Sequence, residues 1–503
     1  MTGRSVPSTS APGNCPGASE GRFVHILRVC EPLLVREGSI ALAVLVLGVM
    51  MAGIDTTIIV LAMPVMMQAL GVDLASITWV LLTYVIVVTV LSTQLGRLGD
   101  IKGRARMFDV GMLVFALGSA LAGASSDAGL LLAFRGVQAV GGALMLSNST
   151  ALISDYFSHE RRGFAFGWTT FGWNIGAVTG IMLGGFLTTF LSWRWDFYIT
   201  APLGVVGFGL GVRYLKGSQE IVSRGFDLLG SAVLGVSLTL ISLGALNYPV
   251  EGLGGSTLSL LGSGLLIFAA FLLLERRRKD PVLDLSLLRI RLFGASTSAA
   301  FLQFVANYAV LFLLTMYLQG VRSLDPFTAS LYLVPGYVVG SGVGALGGRL
   351  ADMKDPRVIA TAGLVLQMLS YLLYFFTLSV GVSLGVVIVG TVLTSTGGAL
   401  FFSSNGKLVM EDVPKDKYGM ASGTFRTVNN MGMIMSFAVA VVAAASAIPK
   451  ELAFQIFAGT TSLSASLLDP FVVSLRYAFI ASASIMAGAV VLSWTRRGRE
   501  GGA

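Results

Sequence analysis

Apolar stretches long enough to cross a bilayer as helices alternate along this chain with short segments rich in Gly, Pro and charge. A spanning helix needs about 20 apolar residues, because a helix rises about 1.5 Å per residue through a hydrocarbon layer about 30 Å thick. Fourteen stretches meet that requirement: 40–66, 76–95, 107–124, 129–153, 163–190, 195–215, 226–246, 256–275, 292–318, 327–349, 357–378, 383–410, 419–447 and 471–494. The fold class expected is therefore an all-α polytopic membrane protein. Residues 1–21, rich in Gly, Ser and Pro, read as a disordered tail. Phe23 to Val35 reads either as an interfacial helix or as a plain tether.

Composition supports this reading. Only 12% of residues are charged, about half the share in a soluble domain. Lys and Arg exceed Asp and Glu by 34 to 26, a bias that in a soluble chain would suggest nucleic acid. Position argues otherwise. With the N-terminus inside, nearly all basic residues fall in the tails and inner loops, and the outer segments hold only Arg194, Arg322, Lys450 and Arg476. This is the positive-inside asymmetry, so both termini are expected in the cytoplasm and the chain in the plasma membrane, with no nucleic-acid partner. Cys15 and Cys30 both precede the first stretch and imply no disulfide framework, and His25 and His159 form no metal-ligand cluster. No phosphate loop and no nucleophile–base pair is evident, so neither ATP, metal, organic cofactor nor enzymatic activity is expected.

The order of elements repeats. Gly96-Arg97-Leu98-Gly99-Asp100 closes the second stretch, and Gly348-Arg349-Leu350-Ala351-Asp352 closes the tenth. Arg162-Gly163 leads into the fifth, and Tyr418-Gly419 leads into the thirteenth at nearly the same offset. Parallel repeats of this kind are a transporter signature. They divide the chain into six-helix halves over 39–215 and 292–495, with two additional spans in 216–291 and tails at 1–38 and 496–503.

Few charges lie deep in the stretches. Asp55 sits near the middle of the first and is the only acid at such depth. A carboxylate there costs roughly 2.5–3.5 kcal/mol on insertion scales, so it needs a function or a partner. Arg135, in the fourth stretch, lies at a depth roughly 6 Å different, within side-chain reach. The pair reads as a proton site, or as a static ion pair joining two helices. Arg426, in the thirteenth, reads as a ligand for a cargo carboxylate or phosphate, or as a snorkelling side chain. Tyr84, Asn174, Tyr308, Asn429 and Asn430 are further candidates for lining a cavity. With so few deep carboxylates, the cargo expected is neutral, monocationic, zwitterionic or anionic. Gly176, Gly180 and Gly184 share one helix face, with Gly185 beside them, and so offer a surface for close helix contact.

Taken in order, several motifs resemble those of the fourteen-helix drug:proton antiporters of the major facilitator superfamily. They are Asp55-x8-Pro64, Trp79-x4-Tyr84, Gly96-Arg-Leu-Gly-Asp100-x2-Gly103-Arg104, Arg135-x2-Gln138-x2-Gly141-Gly142, Gly176-x3-Gly180-x3-Gly184-Gly185, Trp193-Arg-Trp195 and Tyr317-Leu-Gln319. Ile101 stands where that family usually has a basic residue, and Ile181 where it has proline. The resemblance implies two six-helix bundles plus two helices, rocking between inward- and outward-open states. It implies export of small amphipathic organic compounds, such as drugs or antibiotics, in exchange for protons, by a functional monomer in the lipid bilayer. Asp55 and Arg135 would couple protons. Gly96, Gly99, Asp100 and Arg104 would form a latch, with Asp100 facing the start of the thirteenth helix near Tyr418 and Arg104 pairing with Asp155; the plainer alternative is a topogenic basic loop. The fifth-helix glycines would lie at the interface between halves. Two other readings stand beside this one: a dedicated metabolite or lipid transporter without proton coupling, and a non-transporting membrane sensor or partner protein.

Overall fold

The computed structural model describes residues 20–157, 162–215, 225–278, 281–414, 418–445 and 465–496. Helices follow the apolar stretches: α1 Glu20–Leu70, α2 Leu74–Lys102, α3 Arg104–Gly123, α4 Ala128–Tyr156, α5 Arg162–Phe190 and α6 Thr200–Tyr214. The inserted pair is α7 Leu228–Glu251 and α8 Gly255–Glu275. The second half comprises α9 Arg291–Asn307, α10 Pro326–Met353, α11 Pro356–Thr377, α12 Gly385–Glu411, α13 Tyr418–Ala445 and α14 Ala465–Thr495. Among the described residues, thirteen helices are long and apolar enough to span a membrane. The fourteenth, α13, is 28 residues long and carries Arg426, Asn429 and Asn430. The face at which α2 ends and α3 begins is here called the terminal face; the other is the distal face.

Helix starts are chemically marked. Asp73, Asp127, Asp227, Asp325 and Asp355 each accept a backbone N–H in the first turn that follows, which satisfies a donor the helix leaves free. Gly103, with φ of 98°, turns α2 into α3 in a conformation that disfavours other residues. Helices α1–α6 pack on one another, as do α9–α14, and α5 meets α10 across the two halves. The inserted hairpin is peripheral. Its helix α7 lies against α2 and α13, while α8 packs on α7 and exposes Leu265, Leu266 and Leu273.

Two differences from the sequence reading are local. Residues 20–38 are helical, as one of the two readings of Phe23–Val35 has it, but run on into the first span as part of α1, whereas most of the expected disordered segment and all of the C-terminal tail beyond Arg496 lie outside the described residues. The ninth stretch is not one helix: α9 breaks at Tyr308, resumes at Val310–Thr315 and ends in a π-turn, Met316–Val321. The amide of Ala309 at the break donates to Ser436 Oγ on α13 at 2.9 Å, which makes the break tolerable away from water.

Candidate functional site

Asp55 and Arg135 meet directly. Arg135 Nη1 donates to both Asp55 oxygens, at 2.8 and 2.9 Å, and each side chain is at most 2% exposed. Gln138, one turn beyond Arg135 on α4, completes the site. Its Oε1 accepts from Arg135 Nη1 at 2.6 Å, and its Nε2 donates to Asp55 Oδ1 at 2.8 Å and to Ser119 Oγ at 3.1 Å. Arg135 Nε donates to the carbonyl of Val80 on α2 at 3.1 Å. The Ser119 hydroxyl lies 2.6 Å from that of Thr200, so a polar chain leads from Asp55 towards the distal end of α6. The Tyr84 ring covers the guanidinium at 4.7 Å, with Phe197 on a second side at 5.8 Å.

Local structure explains this arrangement. Spacing of three puts Arg135 and Gln138 on one face of α4. Glycine at 142 leaves room for the Tyr84 hydroxyl, which a side chain there would meet at 2.5 Å. Thr57 Oγ1 donates to the carbonyl of Ala177 at 3.1 Å, tying the Asp55 segment of α1 to α5. In chemical terms, a carboxylate held by a guanidinium and an amide can exchange those partners for a proton. Tyr84, read as a cavity residue, is buried in this site instead, and its hydroxyl has no hydrogen-bond partner among the described residues. Gln138 stood inside a quoted motif but was not read as a site residue; its spacing from Arg135 was the available signal.

The fifth-helix glycines require a correction. Gly176, Gly180 and Gly184 do not face the other half. They face α1: Cβ atoms built on them would meet Met50 O, Ile54 O and Ile58 O. Only Gly185 faces the opposite half, at Pro326 O and Ser330. The four-residue spacing correctly gives one face, but it cannot say which neighbour that face meets. The distal contact between halves is made by Phe186 and Phe190 around Phe327, and by Thr189, whose Oγ1 accepts from Phe327 N at 3.1 Å and lies 3.4 Å from Asp325. Partial burial pushes the Asp325 carboxyl up, but bonds from Thr328 and Phe327 outweigh it and hold the group below its usual range.

At the terminal face, Arg104 bridges Asp100 and Asp155 at 2.8 Å each. Gly99 admits the Asn148 amide, and Gly96 lies against Ser147. Helix α2 packs on α13, and Asp100 accepts from Arg104 Nε; the side chains of Tyr418 and Gly419, where Asp100 was expected to face α13, lie outside the described residues. Pairs open to solvent to this extent contribute only about 0.2–1 kcal/mol each. Arg104→Ala is therefore expected to leave stability within about 2 kcal/mol of wild type, while transport in liposomes falls severalfold if the cluster works as a latch; unchanged transport would reduce it to a topogenic loop.

The remaining candidates do not form one constellation. Arg426 reaches across the halves, its Nη2 lying 3.5 Å from Thr150 Oγ1 on α4, so it does not simply snorkel. Asn174 approaches Gly344 of α10, Tyr308 meets Phe437 edge to face and lies within electrostatic reach of Asp55 and Tyr84, and Asn429 is buried with Oδ1 unpaired among the described residues. Asn430 is half-buried. Asp55 is also not alone among buried acids: Asp109, Asp196, Asp227 and Glu275 are buried too, nearer the helix ends. Packing by neighbouring helices buries them, a fact that depth along a span does not report. Among the described residues there is no cluster that could hold a metal.

The family model for the Major Facilitator Superfamily matches residues 45–437. The chain is 32% identical over 401 residues to the multidrug resistance protein Stp of Mycobacterium tuberculosis, covering 78% of this chain and 73% of that protein. It is 29% identical to the tetracenomycin C resistance and export protein of Streptomyces glaucescens, covering 79% and 74%. It is 28% identical to the riboflavin transporter RibZ of Clostridioides difficile, covering 79% and 86%. In fold it is similar to a crystal structure of a bacterial homolog of the human lysosomal transporter Spinster, inward-facing and occupied, with TM-score 0.63, 16% identity, and 91% and 96% of the two chains covered.

Proposed function

The chain belongs to the major facilitator superfamily, and from that premise we propose that it is a proton-coupled exporter of small amphipathic organic compounds such as drugs or antibiotics. The observation that carries this reading is the Asp55 carboxylate, buried in the first half and held by Arg135 and Gln138. A carboxylate with exchangeable partners can take a proton when hydration changes, and alternating access changes hydration at mid-membrane. Cargo enters between the halves from the terminal face, which is cytoplasmic by the charge asymmetry of the loops. A proton from the distal side then reaches Asp55, frees Arg135 and resets the carrier. Multidrug resistance and antibiotic export in the names of relatives support the cargo class. We place the protein in the plasma membrane as a functional monomer, with protons as coupling ion and no other cofactor.

The test is growth protection across a panel of neutral, zwitterionic and monocationic antibiotics in a drug-sensitive host. Protection against several compounds, lost when the proton gradient is collapsed, is the expected result. A second reading, a dedicated metabolite transporter, is favoured by the relative named as a riboflavin transporter. Movement of riboflavin alone across the same panel, indifferent to pH, would select it.

A further inference from the structure

The inserted hairpin carries a second buried acidic site. Asp227 caps the start of α7, its Oδ1 accepting from Gly230 N at 2.8 Å, and Glu275 ends α8, its Oε2 accepting from Leu283 N at 3.1 Å. They are 5% and 3% exposed. The other oxygen of each, Asp227 Oδ2 and Glu275 Oε1, is buried without a hydrogen-bond partner among the described residues. Both point at one place: a Cβ on Gly230 would lie 2.5 Å from Oδ2 and 2.6 Å from Oε1, so the oxygens are separated by no more than the sum of those distances. Two ionised carboxylates so close, each short of a donor, repel one another and leave desolvated lone pairs. A single proton on Glu275 removes the repulsion and gives that carboxyl an O–H directed at the place where the free oxygen of Asp227 lies.

The charged groups facing the pair, among the described residues, are Arg97 of α2, an electrostatic neighbour of Glu275, and Arg278 of the following linker, 3.8 Å from Asp227 Oδ1 and partly exposed. Arg97 donates to the carbonyls of Gly225 and Pro281, at 3.0 and 2.9 Å. A guanidinium held beside the two acids repels a metal cation, so the arrangement favours a proton. The position is mechanical as well. Gln94 of α2 exchanges two bonds with the backbone of Asp227, at 3.1 and 3.2 Å. The linker beyond Glu275 reaches α13, where Asp284 N donates to Thr424 Oγ1 at 3.2 Å. The base of the hairpin therefore touches both halves.

We propose that Glu275, facing Asp227, takes up one proton from water at the terminal face, and that this proton clamps the base of the inserted hairpin onto α2 and the linker to α13. The clamp is tight at neutral and acid pH and loosens as pH on that face rises. It is separate from Asp55 and does not depend on the cargo.

Infrared pH titration and hydrogen exchange on the full chain in liposomes test it. Wild type is expected to show a protonated-carboxyl band at neutral pH that is lost in both Glu275→Gln and Asp227→Asn. Exchange over 225–230 and 281–284 is expected to rise at least about tenfold more at alkaline pH than local amide chemistry alone gives, equivalent to about 1.4 kcal/mol of lost docking. In Glu275→Gln that excess disappears, because an amide N–H donates to Asp227 at every pH; Asp227→Asn, which keeps the helix cap, serves as the second variant. A carboxyl band that persists in both variants, or wild-type exchange with no excess pH dependence, overturns the proposal.

Discussion

Asp55→Asn is expected to abolish pH-driven efflux and also to weaken the fold, and the double variant Asp55→Asn/Arg135→Gln separates the two effects. Neutralising Asp55 leaves the Arg135 guanidinium, itself 1% exposed, without its counter-charge. Breaking a buried pair from one side costs about 3–5 kcal/mol, whereas replacing both partners by neutral groups is often close to neutral. The single variant should thus melt well below wild type, and the double variant should recover most of that loss. Efflux should stay at background in both, because neither offers a carboxylate that can take a proton at this depth. Unfolding of purified protein in detergent, beside efflux from energised cells, reads both quantities. Recovery of pH-driven efflux in the double variant would make the pair a static tie between α1 and α4.

Gly180→Val is expected to be the most disruptive of the fifth-helix substitutions. A Cβ at Gly180 would lie 2.6 Å from Ile54 O and 3.0 Å from Ile54 Cα, immediately before Asp55, and would overlap the Thr57 hydroxyl. Overpacking costs typically about 1–3 kcal/mol, and here it must move the segment that carries the carboxylate. The expected outcome is reduced yield of folded protein together with loss of coupling in what does fold. Gly167→Ala is the control, since its Cβ would meet nothing within 4 Å. If Gly180→Val instead spares stability and slows only the interchange of states, the glycines serve the half-to-half interface after all.

Much of this was legible in the chain. Apolar length alone located the spans, because a run of about 20 apolar residues satisfies its own backbone within lipid as a helix. Depth along two spans brought Asp55 and Arg135 together, and their contact is direct. The orientation of the Gly176–Gly180–Gly184 face was not legible, because periodicity fixes a face but not its neighbour. The break at Tyr308 was hidden for a similar reason: no proline or glycine marks it, and its compensation, Ser436, lies on another helix. Arg97 looked like part of a loop motif at the membrane edge, yet it is 8% exposed and holds two carbonyls of the linkers that flank the inserted hairpin. Side chains at span ends are assigned to water by sequence, and only packing shows which of them are covered.

The most direct test of proton-coupled export is proton flux in liposomes holding the purified protein and a trapped pH-sensitive dye. A cargo gradient is imposed with no initial pH difference. The prediction is that cargo movement drives protons in the opposite direction, and that Asp55→Asn carries no such flux. Cargo that runs down its gradient while the internal pH stays constant in wild type would contradict it.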